Sequence, residues 1–290
     1  MSLTQMLRTP NHPVTHWLHT TFPGDERWRA TWRAATSGLP TLAPPSTRRS
    51  YPWVLVGQAV DYRLRLLAAG YAAADTVAAH GARLAVTRRP AIARLWLALA
   101  HAWDALAAAG PVRPGPQDAR LIPLAVGLSW FETCYRSGVV PAALQTAVHL
   151  PDLTIPSDVV ADVTALVHHV DTADPARWRL PAVLNPTFAG SADVGGADGD
   201  VILGTTLIDF KTTIHPREGA AWVYQLLGYG LLDYPDAYRL TGAGVLLVRQ
   251  TRWLTWTWPE LITLMGSDPH VPWSDYQAAF RAVVRATRRS

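Results

Sequence analysis

The hydrophobic pattern of this chain changes period near Pro181, and that change constrains its fold more than any other feature. From Val54 to Gly110 the sequence is rich in Ala, Leu and Arg, with apolar residues at helical spacing and breaks at Gly81, Pro90 and Gly110. Two long helices are expected there. A Pro/Gly break at Gly110–Pro116 precedes helical runs over Leu121–Ser137 and Ser157–Val170. After Pro181 the runs become short and β-branched: Phe188–Val194, Asp200–Leu203 and Thr206–Thr212, separated by Gly/Asp-rich turns. Pro216 is placed to open a helix reaching Leu232. Gly244–Gln250 and Trp253–Trp258 read as a hairpin, and a last helix starts at Ser274. Helices followed by a β-β-β-α-β-β-α tail predict an α/β (α+β-like) protein.

Residues 1–50, rich in Pro, Thr and Trp, read as an irregular arm with one short helix at Glu26–Ala35, ending in the loop Pro44–Ser50. The expected organisation is therefore an arm over 1–50, a helical region over 51–120 and a core over 121–290. No apolar run reaches the ~18 residues that a bilayer crossing needs. The most apolar stretch, Ala91–Ala109, is interrupted by Arg94, His101 and Asp104. Without an apolar leader segment at Met1–Pro13, the expectation is a soluble cytoplasmic protein with no membrane partner. A single cysteine, Cys134, excludes an internal disulfide and any four-cysteine metal site.

The cations are the most unequal part of the composition: one lysine, Lys211, against 25 arginines. A lysine kept against such a bias points to a position where guanidinium cannot substitute. Ammonium is a compact charge with three donors, whereas guanidinium is a broad permanent fork. Lys211 also follows Asp209 by two residues, so on a strand the two side chains share a face while Phe210 turns to the other. Asp193, expected at the end of the strand Phe188–Val194, would come alongside through strand pairing across the intervening turn. Two carboxylates and an ammonium at one place suit a hard divalent cation that binds oxygen and keeps waters. The plainer alternative is a turn acid beside a surface ion pair.

The segments Gly190-Ser191-Ala192-Asp193, Leu207-Ile208-Asp209-Phe210-Lys211-Thr212-Thr213 and Gln225-Leu226-Leu227-Gly228-Tyr229 resemble the PD-(D/E)XK nuclease superfamily. The closest branch is RecB-like, with its G-x-x-D, D-x-K and Q-x-x-x-Y motifs in that order. The resemblance covers roughly residues 120 to 290. It implies a restriction-endonuclease-like core, with an antiparallel-to-mixed sheet flanked by helices and an N-terminal helical extension. The implied activity is Mg²⁺- or Mn²⁺-dependent hydrolysis of DNA phosphodiesters, in repair, recombination or anti-phage defence. Asp193, Asp209 and the Phe210 carbonyl would ligate the metal, Lys211 would position the attacking water, and Gln225 and Tyr229 would flank the site. Glu132 is the candidate for the acidic residue the family adds from an earlier helix; the alternative is pairing with Arg136 at i+4. Gly57-Gln58-Ala59-Val60-Asp61 resembles the branch's G-x-x-x-H helix, with Asp61 in place of the histidine.

Net charge is +4. Arg281, Arg285 and Arg288, followed by Arg289, form a stripe on the last helix that could follow a phosphate backbone. The alternative is cations that suit a helix C-terminus. Most of the 13 tryptophans are expected in the core, with Trp253, Trp256 and Trp258 as candidates for stacking on bases. His168, His169 and His215 lack ligand partners at useful spacing. No phosphate-cradling P-loop occurs, so unwinding would require a helicase or defence-complex partner. The competing functional expectations are a nuclease-like module that binds DNA or a partner without cutting, and an RNA-directed nuclease.

Overall fold

The computed structural model describes residues 1–46, 51–216 and 219–288. Two compact units emerge: Met1–Thr41 together with Asn185–Ser290, and Leu42–Leu184. The first unit is therefore discontinuous in sequence. Its N-terminal segment folds as α1 (Leu3–Leu7), α2 (Pro13–Thr21) and α3 (Asp25–Thr36). Local chemistry explains these helices. Ser2 and Gln5 form a reciprocal capping box on α1. Proline opens α2, and Asp25 and Glu26 occupy the first turn of α3, where the helix dipole favours carboxylates. The segment is part of the core rather than an irregular arm, because Leu3, Leu18, Phe22, Trp28 and Trp32 recur at helical spacing and are all buried. Each buried tryptophan contributes roughly 4–6 kcal/mol of transfer free energy before entropic costs.

The second unit contains α4 (Trp53–Ala68), α5 (Val77–Arg88), α6 (Ile92–Ala107), α7 (Asp118–Ser137), α8 (Ala142–Thr146), α9 (Ser157–Ala173) and β1 (Ala182–Leu184). Three helices thus occupy the stretch where two were expected, since Gly70 to Thr76 and Arg89 to Ala91 each break the backbone ladder. Helix α7 is central and packs against α4, α5, α6 and α9. At its crossing with α5 the backbones nearly touch: a Cβ on Gly81 would lie 1.7 Å from the Phe131 carbonyl oxygen. Arg63, fully buried on α4, donates to Asp118 at 2.6 Å and to the Val112 carbonyl at 2.9 Å.

The chain then returns to the first unit with β2 (Val201–Leu203), β3 (Thr206–Lys211), α10 (Gly219–Leu231), β4 (Gly242–Leu247), β5 (Arg252–Thr257), α11 (Trp258–Leu264) and α12 (Trp273–Thr287). Strands β2 to β5 form a mixed sheet in the order β2-β3-β4-β5. β2 and β3 make an antiparallel hairpin across Gly204 and Thr205, with Gly204 at φ +62. β3 and β4 run parallel over Thr206↔Gly242 to Lys211↔Leu247, with α10 as the crossover. β5 closes antiparallel on β4. Leu207, Ala243, Val245 and Leu247 join Val223, Leu226 and Leu227 of α10 in one core with Trp28 and Trp32.

Several expectations shift by a few residues or change type. The strand expected at Phe188–Val194 is absent; Ser191–Val194 is a one-turn 3-10 helix, and Thr187 makes only an isolated bridge to Asp198. Glycines at 190, 195 and 196 favour a turn there over a ladder. Trp258 begins α11 rather than ending a strand, because Thr257 and Glu260 form a capping box. The expected boundary at residue 121 falls within the helical unit, whose residues 121–184 pack on α4–α6. Parts of the Pro44–Ser50 loop, the residues just after Pro216, and Arg289 lie outside the described residues. No helix among the described residues is long and apolar enough to cross a membrane.

Gly81→Ala is expected to destabilise the α5–α7 crossing by about 3 kcal/mol, the upper part of the usual overpacking range. Gly242→Ala, whose Cβ would meet the Trp256 carbonyl oxygen at 2.1 Å, should act likewise on the sheet. Urea denaturation followed by circular dichroism reads both as lowered midpoints, while Gly57→Ala, with open space at its Cβ, should lower neither.

Candidate active site

Every side chain of the constellation described next belongs to the first unit. Asp209 and Lys211 project from the same face of β3, as the strand period requires. Lys211 Nζ lies 2.5 Å from Asp209 Oδ2. The carboxylate is almost fully buried and the ammonium about one-fifth exposed, so each needs the other to avoid an uncompensated charge. From α10, Gln225 Oε1 accepts from Lys211 Nζ at 3.3 Å, and Gln225 Nε2 donates to the Tyr229 hydroxyl at 2.8 Å. Residues 225 and 229 meet because i and i+4 share a helix face. The Trp222 ring, one turn earlier, lies 5.4 Å from Lys211 Nζ in a cation–π contact. The lone lysine is thus held by a carboxylate, an amide and an aromatic face.

The hairpin brings further acids to this place. Its register pairs Val201 with Ile208, so the next residues outward are Asp200 and Asp209. There the ladder ends: the Phe210 N–H donates to Asp200 Oδ2 at 2.6 Å. Asp198 precedes Asp200 by one strand repeat. Burial first, then the Asp209 carboxylate and more weakly Asp198 and Asp200, push the Tyr229 phenol well above its usual range, while the Gln225 hydrogen bond works the other way. Tyr229 therefore remains a neutral phenol, stacked on Phe188 with ring centroids 5.7 Å apart. All three aspartates lie close enough to act on one hydroxyl, and Lys211 alone does not cancel their charge.

Asp193 behaves differently from the expectation. It sits in the 3-10 turn, not on a strand, and its Oδ1 accepts from Arg288 Nη1 at 2.5 Å. Asp200, rather than Asp193, stands across the hairpin from Asp209. The signal for it was present: a two-residue turn at Gly204-Thr205 fixes which residues face one another. The places of Asp198 and Asp200 depend on the hairpin register, and that of Trp222 on its helical spacing of three from Gln225. Glu132 belongs to the helical unit, where it is buried and held by Arg136 Nε at 2.5 Å; it also hydrogen-bonds the Tyr62 phenol, whose pKa burial and this carboxylate raise. Asp61 of the same unit pairs with Arg65 at 3.0 Å. Of the tryptophans considered for base stacking, Trp258, in the core, stacks on Trp273 at 4.3 Å, and the partly buried Trp256 packs against that core on Trp28 at 4.9 Å.

Asp209 on β3 and Asp200, which accepts the Phe210 N–H from across the hairpin, offer oxygen donors only. That chemistry fits Mg²⁺ or Mn²⁺, which take one or two carboxylates and keep several waters. Among the described residues, no group of three or more His, Cys, Asp or Glu stands ready to hold a metal by itself, so water or substrate oxygens would complete the shell. Comparison with protein-family models, curated proteins and solved structures yields no match to this chain.

Lys211→Met is expected to cost about 3 kcal/mol by removing the ammonium that pairs with the buried Asp209 carboxylate. Asp209→Asn added to it should recover much of that loss, since the amide carries no charge to strand. A double-mutant cycle by urea denaturation should show coupling above about 1 kcal/mol; additive losses would show that the ion pair contributes nothing.

Proposed function

We propose that the first unit is a metal-dependent nuclease of the PD-(D/E)XK type, hydrolysing phosphodiester bonds of nucleic acid. One observation carries this reading. The hairpin register sets Asp200 against Asp209, and the only lysine of the chain stands two residues beyond on the same face. The sequence order of hairpin, crossover helix with Gln225 and Tyr229, and parallel strand supports it further.

In this reading Asp200, Asp209 and the Phe210 carbonyl hold Mg²⁺ or Mn²⁺. When bound, the metal polarises the phosphodiester and lowers the pKa of a coordinated water. Hydrolysis adds the water oxygen to phosphorus and releases one ester oxygen, which takes up a proton. The residues of the chain set the geometry. Lys211 presents its ammonium beside the carboxylates and offsets charge on the phosphate, a preorganised electrostatic contribution. Gln225 and Tyr229 fix that ammonium from the helix side, and Tyr229 stays a hydrogen-bond donor because burial and the aspartates hold its proton. Phosphate chemistry of this kind does not distinguish DNA from RNA.

The test is cleavage of linear and circular, single- and double-stranded DNA, and of RNA, with Mg²⁺, Mn²⁺ or EDTA. Wild type should cut with metal and not with EDTA. Lys211→Ala and Asp200→Asn should each lose on the order of 10²-fold or more, and Asp200→Asn should lose more than Asp193→Asn. A folded wild type that cuts nothing with either metal would favour the binding-only module, and cutting that survives EDTA would remove the metal from the mechanism.

A further inference from the structure

Helix α12 carries a second feature, which rests on the nuclease reading for its substrate but not for its chemistry. A depression of ≈ 250 Å³ lies between the end of α10 and α12, lined by Tyr234, Ser274, Gln277, Arg281 and Arg285. Two alanines, Ala278 and Ala282, keep its floor open. The position of Tyr234 is fixed from below. Gln277 Nε2 donates to the Gly230 and Asp233 carbonyls at 3.2 and 2.8 Å, capping the end of α10. The Asp233 carboxylate accepts the Ala237 and Tyr238 N–H groups, both at 3.1 Å, shaping the turn that holds Tyr234.

The donors in this depression are left over. Arg281 stacks over the Tyr234 ring with Cζ 4.8 Å from its centroid, and Arg281 and Arg285 make no ion pair among the described residues. The Tyr234 hydroxyl is buried without a hydrogen-bond partner among those residues, a state that disfavours the empty pocket. Burial and Asp193 push this phenol up, the two arginines pull it down, and it settles at about 12, so it is a donor at neutral pH. Arg288, by contrast, is engaged by Asp193. The expected three-arginine stripe therefore divides into one paired cation and two unpaired ones.

We infer that Tyr234, Arg281 and Arg285 form a pocket for a phosphate group of the nucleic-acid strand, separate from the carboxylate site on β3. Two guanidiniums and a phenol are donors only toward such a ligand, and an oxyanion with several acceptor oxygens satisfies all three. The pocket follows Tyr229 along the same polypeptide and lies in the same unit as the carboxylate site.

Binding of a fluorescein-labelled single-stranded oligonucleotide, measured by anisotropy in EDTA over a range of salt, tests the pocket without requiring cleavage. Arg281→Gln with Arg285→Gln should weaken binding at least about tenfold and lower the slope of log K against log salt by about 0.7, the value for one phosphate contact on a single strand. Tyr234→Phe, which keeps the ring and the fold, should weaken binding about two- to tenfold and is decisive should the double variant not fold. Arg252→Gln, an exposed cation on β5, is the control. The inference is overturned by losses no larger than the control's, by absence of oligonucleotide binding to wild type, or by a fluorescent mononucleotide binding as tightly as the oligonucleotide, which would assign the pocket to a free nucleotide. Loss of binding here alongside intact metal-dependent cutting, or the reverse, separates this inference from the nuclease reading.

Discussion

The parallel pairing of β3 with β4 governs the rest of the first unit. Two parallel neighbours cannot be joined by a tight turn, so the chain must leave the sheet and return. Helix α10 makes that return, and it covers the face that carries Leu207, Asp209 and Lys211. The apolar residues of that face give the helix its seat. Of the two charged ones, Asp209 pairs with Lys211, and the helix meets Lys211 with Gln225 and Trp222, Gln225 being held in turn by Tyr229. Packing and polar chemistry are thus settled by the same crossover.

The arrangement concentrates negative charge where the sheet ends. The charges of Asp209, Asp198 and Asp200 all act on the Tyr229 phenol, and the Asp200 carboxylate accepts the Phe210 N–H at the point where the ladder stops. A ladder that continued would have needed no side chain there. Ending it with a carboxylate leaves a second oxygen on Asp200 directed by a fixed backbone contact, a rigid placement of the sort that electrostatic catalysis requires. Lysine suits the centre better than arginine because its single compact charge fits between one carboxylate, one amide and one ring.

Legibility in the sequence followed the range of the interactions. Asp209 and Lys211 on one strand face, and Gln225 and Tyr229 on one helix face, rest on local periodicities and could be read directly. The α/β class and most elements after Pro181 were readable for the same reason. Asp193 was misplaced because three glycines nearby favour a turn, and Asp200 was missed because its role depends on the hairpin register. Glu132, an acid in an apolar run, is held by its own i+4 arginine and a tyrosine of α4. The N-terminal helices were mistaken for an arm because their tryptophans find their partners more than 150 residues later in the chain, as when Trp32 meets Trp222, and no local pattern announces that.

That last feature has a consequence for how the chain is made. Leu3, Leu18, Trp28 and Trp32 leave the ribosome early, yet the strands and α10 that bury them are encoded after residue 184. At synthesis rates of about 5–20 residues per second, these side chains wait on the order of ten seconds or more for their partners. The contiguous segment Leu42–Leu184 can meanwhile complete its own core as it emerges. Newborn chains would therefore pass through a stage with one half closed and a sticky leading end still in water, the stage at which holdase chaperones would find their substrate.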